Sequence, residues 1–274
     1  MPSLQSRQKK YMLLHKGLLT IIAVLIGALS LTGHAMAAGQ NSYQTFLKHY
    51  DNLLEAHVAP VEAESIAYNG VAYNAWARDP AHGKAHRALK NTDPEQFQTK
   101  TGKLAFWINA YNFLTIDLVT DKGERESIRN LGGLFTSPWK NYEWQINDQA
   151  YTLHEIEHDI IRPMGEPRIH FAINCAAKSC PDLRSEAYRA NRLDNQLDDQ
   201  VETTLKNASK GLREGKGDII YVSKVMDWFS EDFKDGDLKA WLAQYRPQLI
   251  DEATSIRFIN YDWSLNKQSA NKDT

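Results

Sequence analysis

Both cysteines of this 274-residue chain lie in one short segment, Arg168-Ile-His-Phe-Ala-Ile-Asn-Cys-Ala-Ala-Lys-Ser-Cys-Pro181, which also carries His170 and Asn174. His154 and His158 precede it, so three histidines and both thiols fall within 27 residues. Three chemistries fit this grouping. Thiols five residues apart in a tight loop can close a disulfide, which an oxidising compartment favours. Alternatively, Cys180 is a nucleophile. It precedes Pro181 and Asp182, where a helix could begin and its free amides would lower the thiol pKa, with His158 or His170 as base and Asn109 or Asn174 to orient that base or hold an oxyanion. The third is a metal site from His158, His170, Cys175 and Cys180, whose residue types suit zinc but whose spacing does not. His154-Glu-Ile-Glu-His158 also spells a zinc-protease pattern. Glu155 is better placed as the capping partner of Thr152, so no metal and no other cofactor is expected.

Positioning these groups requires an ordered frame. Phe46, Leu47, Tyr50, Leu53 and Leu54 recur at helical spacing, which predicts a helix from Ser42 to Val58. Residues 59–101 read as small helices joined by turns, including one from Pro80 to Leu89. Leu104 to Val119 is apolar on every side and should form the central helix, with Asn109 and Asn112 as amides inside it beside Trp107 and Tyr111. Those amides serve loop carbonyls in one reading and a site in the other. Tyr142 to Ile146 and Ala150 to Thr152 flank Asn147-Asp148 as a hairpin. A helix over Leu153–Ile161 follows, ended by Pro163. Alternation across Arg168–Ile173 predicts a core strand that delivers His170 and Asn174. Leu193, Leu197, Val201 and Leu205 mark a helix, Ile219–Val222 a strand, Ser223 the cap of a helix through Val225, Trp228 and Phe229, and Leu238–Tyr245 another helix. Ile256–Tyr261 reads as a last strand. In Tyr261-Asp-Trp-Ser-Leu-Asn266, Trp263 is expected to fill the core and Asp262 to cap a turn. Together these predict an α+β fold, with helices packed around a small mixed or antiparallel sheet, in a single domain over residues 38–266. Residues 267–274 have no large apolar side chain and read as a disordered tail.

At 42% hydrophobic and 24% charged, the composition is that of a folded protein, and a net charge of −2 offers no basic excess for nucleic acid. The N-terminus sets the compartment. Arg7, Lys9, Lys10 and Lys16 precede an uncharged apolar run from Leu18 to Leu31, and Ala35-Met-Ala37 supplies a small-x-small cleavage site. Residues 1–37 therefore read as a cleavable signal peptide of a periplasmic or secreted protein, with no stable membrane anchor after cleavage. Its removal takes four cations and no acid, which leaves a mildly acidic product.

The motifs Ala105-Phe-Trp-Ile-Asn-Ala-Tyr-Asn112, Leu153 through His158, Arg168 through Pro181 and Tyr261 through Asn266 together resemble the domain-of-unknown-function 547 family, over a core of about 104–266. The resemblance implies a shared fold and a shared polar cluster at Asn109, Tyr111, Asn112, Glu157, His158, His170, Cys175, Ser179 and Cys180; it implies no reaction. Two functions remain open at this level. One is a thiol-dependent hydrolase or transferase with Cys180, His158, His170 and Asn109 as catalytic groups, and Asn112, Tyr111, Glu157, Asn174, Cys175 and Ser179 as binding groups. The other is a non-catalytic binding or interaction module with a structural Cys175–Cys180 disulfide. In both, the partner is a small-molecule, peptide or glycan ligand.

Overall fold

A computed structural model describes residues 41–62, 66–133, 136–251 and 253–268. The expected signal peptide lies outside them, as do residues 269–274. Residues 41–57 form α1, which buries Tyr43, Phe46, Leu47, Tyr50, Leu53 and Leu54 as their spacing requires. The chain then departs from expectation, because Val58–Glu62 (β1) and Ala67–Val71 (β2) pair as an antiparallel hairpin where only helices and turns were legible. Two helices follow, α2 over Tyr73–Arg78 and α3 over Pro80–Lys90, the latter started by Asp79 accepting from the Ala81 amide and by Pro80 in the first turn.

The central helix α4 spans Lys100–Lys122, between a Thr99 cap that accepts from the Gly102 amide and Gly123 in the left-handed conformation at φ 62°. Every residue from Leu104 to Ile116 is buried. With α1 and α3 it builds the larger of two apolar clusters, inside which Asn109 and Asn112 each clamp a loop. Asn109 donates to the Tyr188 carbonyl and accepts from the Tyr188 amide, both at 2.8 Å. Asn112 donates to the Ala172 carbonyl at 2.9 Å and accepts from the Asn174 amide at 2.7 Å.

After the single turn α5 (Pro138–Asn141), β3 (Glu143–Ile146) and β4 (Gln149–Thr152) form the expected hairpin, with Asn147 and Asp148 at positive φ. The capping box is present: Glu155 Oε2 accepts from the Thr152 amide at 2.7 Å, and Thr152 Oγ1 accepts from the Glu155 amide at 3.1 Å. The helix that it opens is not α. Glu155–Ile161 is a π-turn, with the Arg162 amide reaching back to the Glu157 carbonyl.

The expected strand at Arg168–Ile173 is absent: Pro167–Phe171 is a 3₁₀ turn. Pro167 and Glu166, whose carboxylate accepts from the Arg168 amide, start a helical turn. Ile169, His170, Phe171, Ala172 and Ile173 are all buried, so the sequence alternation reflects no solvent face. Nor does a helix begin at Pro181, since residues 181–192 are irregular. Helix α6 (Leu193–Lys206) turns its leucines inward. Beyond it, β5 (Leu212–Glu214) pairs antiparallel with β6 (Ile219–Val222), which pairs parallel with β7 (Ser255–Phe258). Between β6 and β7 come α7 (Val225–Trp228) and α8 (Leu238–Leu242), both shorter than the sequence suggests. This mixed sheet and α6 enclose the smaller apolar cluster.

The fold is α+β, with one mixed sheet and two hairpins among the described residues. Ile169 belongs to the larger apolar cluster and Phe171 to the smaller, so His170 sits on the seam between them. The C-terminal segment crosses that seam. Leu265 bridges to Ala177 and Lys267 to Val71, which orders two residues expected in the tail. Among the described residues, no helix is long and apolar enough to cross a membrane.

Candidate functional site

At the seam lies a cavity of about 210 Å³ lined by Tyr111, Glu157, His158, His170, Cys175 and Cys180. Six of the ten residues singled out from the sequence therefore share one space. Of the other four, Asn112, Asn174 and Ser179 hold the loop that carries the thiols, while Asn109 clamps a separate one. Asn109 and Asn112 spend their amides on loops as described, Asn174 accepts from the Ala176 amide and donates to the Pro181 carbonyl, and Ser179 Oγ accepts from the Asp262 amide.

The cysteine loop is strained and tethered. Ala176 sits at φ 62°, a conformation disfavoured for a residue with a Cβ, held by the Asn174 side chain and by the Asn266 amide donating to its carbonyl. Lys210, fully buried, donates to the Lys178 and Cys180 carbonyls and pairs with Asp182 at 2.6 Å. Both thiols are free, with their sulfurs 2.7 Å apart. Cys180 Sγ also accepts from the Cys175 amide at 3.0 Å, and Cys175 Sγ meets the Tyr261 hydroxyl at 3.0 Å. Burial raises both thiols. For Cys175 it prevails, aided by Cys180, and its pKa stands well above the ordinary value. For Cys180, donation from Cys175 and Tyr261 and the nearby Lys210 ammonium outweigh burial, so its pKa falls below the ordinary 9.0. Of the two, Cys180 is the better thiolate. This lowering does not come from a helix terminus, as the sequence had suggested.

The histidines differ in what their nitrogens do. Asp232 Oδ2 lies 2.6 Å from His170 Nε2, and its carboxylate is held below the usual range, against its burial, by Arg162 and His170. Burial lowers His170 to about 4, so it is neutral at pH 7. The proton must then sit on Nε2, facing the carboxylate, which leaves Nδ1 as a buried lone pair with no partner. His170 stacks on Phe229 at 4.2 Å, which fixes the ring plane. His158 is arranged oppositely. Its Nδ1 accepts from Arg162 Nη1 at 2.9 Å, while Arg162 Nε and Nη2 fork onto Asp232. Burial, then His154 and Arg162, lower His158 to about 4. Its basic nitrogen is already engaged. Neither sulfur hydrogen-bonds an imidazole in this structure, and His154 lies 4.4 Å from the His158 ring without forming a metal cluster; among the described residues, no three His, Cys, Asp or Glu side chains converge to hold an ion.

Glu157 is buried, and Tyr111 donates to its Oε2 at 2.9 Å. Burial raises its pKa to about 7, although Tyr111 and the more distant Arg162 pull it down. Aromatic rings form the outer wall. Trp228 and Trp263 stack at 5.5 Å, Tyr261 lies 4.6 Å from Trp263, and Trp139 meets Trp263 at 5.9 Å. Trp263 thus lines the cavity, half-exposed, where the sequence suggested core filling, while Asp262 does cap its turn by accepting from the Ser264 amide.

Sequence reasoning missed Asp232, Arg162, Lys210 and the tryptophan wall. The aromatic cluster at Tyr261–Trp263 was visible. Asp232, between Glu231 and Phe233 in a short 3₁₀ turn, carries no pattern of its own. Residues 94–203 match the family described as "Protein of unknown function, DUF547". No curated protein and no solved structure matches the chain.

Proposed function

From the match of residues 94–203 to the DUF547 family, whose description names no activity, we propose on the site's geometry that this is an exported thiol-dependent hydrolase or transferase with Cys180 as nucleophile and His170 as base. One observation carries the reading: an imidazole held by a carboxylate on one nitrogen, with the other nitrogen unpartnered, lines the same cavity as a thiol of lowered pKa. That is the division of labour in a nucleophile–base–orienting-carboxylate set. Asp232 takes the orienting role first considered for Asn109 or Asn174. His170 is preferred over His158 because Arg162 occupies the lone pair of His158.

In the reaction, the Cys180 sulfur forms a bond to an acyl carbon as the bond to the leaving atom breaks. The thiol proton passes to His170 Nδ1 and then to the leaving atom. Water or another nucleophile then attacks the thioester, giving its proton to His170, which returns it to the departing sulfur. No hydrogen bond joins sulfur and imidazole in this structure, and such catalytic contacts commonly tighten only when substrate binds.

Close contact of the sulfurs favours the second reading, in which oxidation closes the pair and the cavity only binds. Iodoacetamide labelling of exported protein without reductant separates the two. Thiol catalysis predicts labelling at Cys180 that persists below the free-thiol pKa of about 8.5 and slows at least tenfold in His170→Ala and Asp232→Asn, but not in His158→Ala. A pair that labels only after reduction rejects the catalytic reading.

A further inference from the structure

We infer that the cavity receives an organic cation, an alkylammonium group lodged between the Glu157 carboxyl and the tryptophan wall. Four observations lead there. The first is Glu157 itself, a carboxyl only 7% exposed whose one hydrogen bond is from Tyr111 and which forms no ion pair among the described residues. Buried carboxyls normally have a cationic partner, and one that opens on a cavity without a partner is a seat for one.

The second is that the cations nearby are committed elsewhere. Arg162 forks onto Asp232 and donates its remaining arm to His158. Lys210 spends its ammonium on two carbonyls and Asp182. Third, the uncommitted groups are neutral or acidic. His158 and His170 are uncharged at pH 7, and Glu157 and Cys180 are the two groups disposed to carry negative charge. The fourth is the wall of Trp139, Trp228 and Trp263, whose ring faces attract cations, as Arg129 over Trp263 at 5.3 Å and Arg162 over the adjoining Phe229 at 5.1 Å already show. A neutral sugar would also stack on such rings but needs several hydrogen-bonding side chains around its edge, and the polar groups here are largely paired with one another. At about 210 Å³ the space suits a head group and not a whole drug-sized ligand.

As the substrate class of the proposed enzyme, this names acyl compounds that carry a positive nitrogen, and to that extent it rests on the thiol reading. As binding, it stands apart from that chemistry. Choline and its neutral isostere 3,3-dimethylbutan-1-ol have nearly the same shape and differ in charge, so titrating each into the intact protein at pH 8 by calorimetry isolates the cation. Choline should bind saturably and at least tenfold tighter than the alcohol. Glu157→Gln should erase that difference. Trp228→Ala, at a ring 44% exposed where folding is not at stake, should weaken choline severalfold. Calorimetric binding of choline involves no thiol chemistry, which keeps this test independent of thiol reactivity. Equal binding of the two compounds, no saturable choline binding, or an undiminished preference in Glu157→Gln would overturn the inference.

Discussion

Replacing Glu157 with Gln should stabilise the protein at alkaline pH and leave it nearly unchanged in acid. The carboxyl titrates at about 7 against an ordinary 4.5, with burial the largest cause. A group whose folded pKa is raised contributes stability that is complete below the unfolded value and is lost as pH rises through the folded one. A displacement of this size corresponds to about 3 kcal/mol at roughly 1.4 kcal/mol per pKa unit. The loss should therefore begin near pH 4.5 and be complete above about 7. The groups facing the carboxyl are Tyr111 from α4, Arg162 from the end of its own turn, and Asp232; none titrates between these limits in a way that the Gln variant would share. His158 and His170 do titrate below, at about 4, and both lose stability as pH falls toward it. Parent and variant share those histidines, so the difference between two urea titrations, repeated from pH 4 to 8.5, isolates Glu157. The gap should be near zero at pH 4 and grow to about 3 kcal/mol in favour of Gln, since the amide still accepts from Tyr111. A gap that is flat with pH, or that favours the parent at pH 8, would refute the claim that this carboxyl is buried without a counter-charge.

Trp107→Ala should cost about 3–5 kcal/mol, because the indole is 95% buried against Phe106 and Tyr151; a melting curve within error of the parent would contradict its place in the core. Lys210→Met should destabilise by about 3–5 kcal/mol by leaving Asp182 without its buried partner, and it should slow Cys180 alkylation near neutral pH, checked by denaturation and by a labelling time course. In contrast, Asn109→Ala should cost about 1–3 kcal/mol through the lost Tyr188 clamp while leaving the alkylation rate of the folded protein unaltered.

Local rules carried the sequence reading wherever one element supplied its own signal. The Thr152–Glu155 box, the Asn147-Asp148 turn and the all-round apolar face of α4 each rest on contacts within a few residues, and each is present. Alternation at Arg168–Ile173 misled because period two identifies a strand only when one face meets water. Here both faces are buried, and Pro167 with Glu166 sets a 3₁₀ turn instead. The π-turn at Glu155–Ile161 has the same apolar spacing as an α-helix over so short a span, so nothing in the sequence distinguishes it. Site membership was legible for the groups with unusual chemistry, two thiols and two histidines. Their partners were not, because any acid or lysine in the chain is an equal candidate until the fold chooses one.

That choice is distributed unevenly along the chain. Tyr111, Glu157, His158, His170, Cys175 and Cys180 all fall within residues 94–203, the segment matched to the family. Asp232, which fixes the His170 tautomer, follows it, as do Tyr261 and Lys210, which add to the depression of the Cys180 thiol begun by Cys175, and Trp228 and Trp263, which close the cavity. On the thiol reading, the matched segment supplies the reacting atoms, while the later residues help to set their protonation and the shape of what they meet. A neutral imidazole without its carboxylate has no preferred tautomer, and a buried thiol without its donors rises in pKa. Substitutions after residue 203 should therefore alter which ligand is accepted and at what pH the thiol reacts, without removing the groups that react.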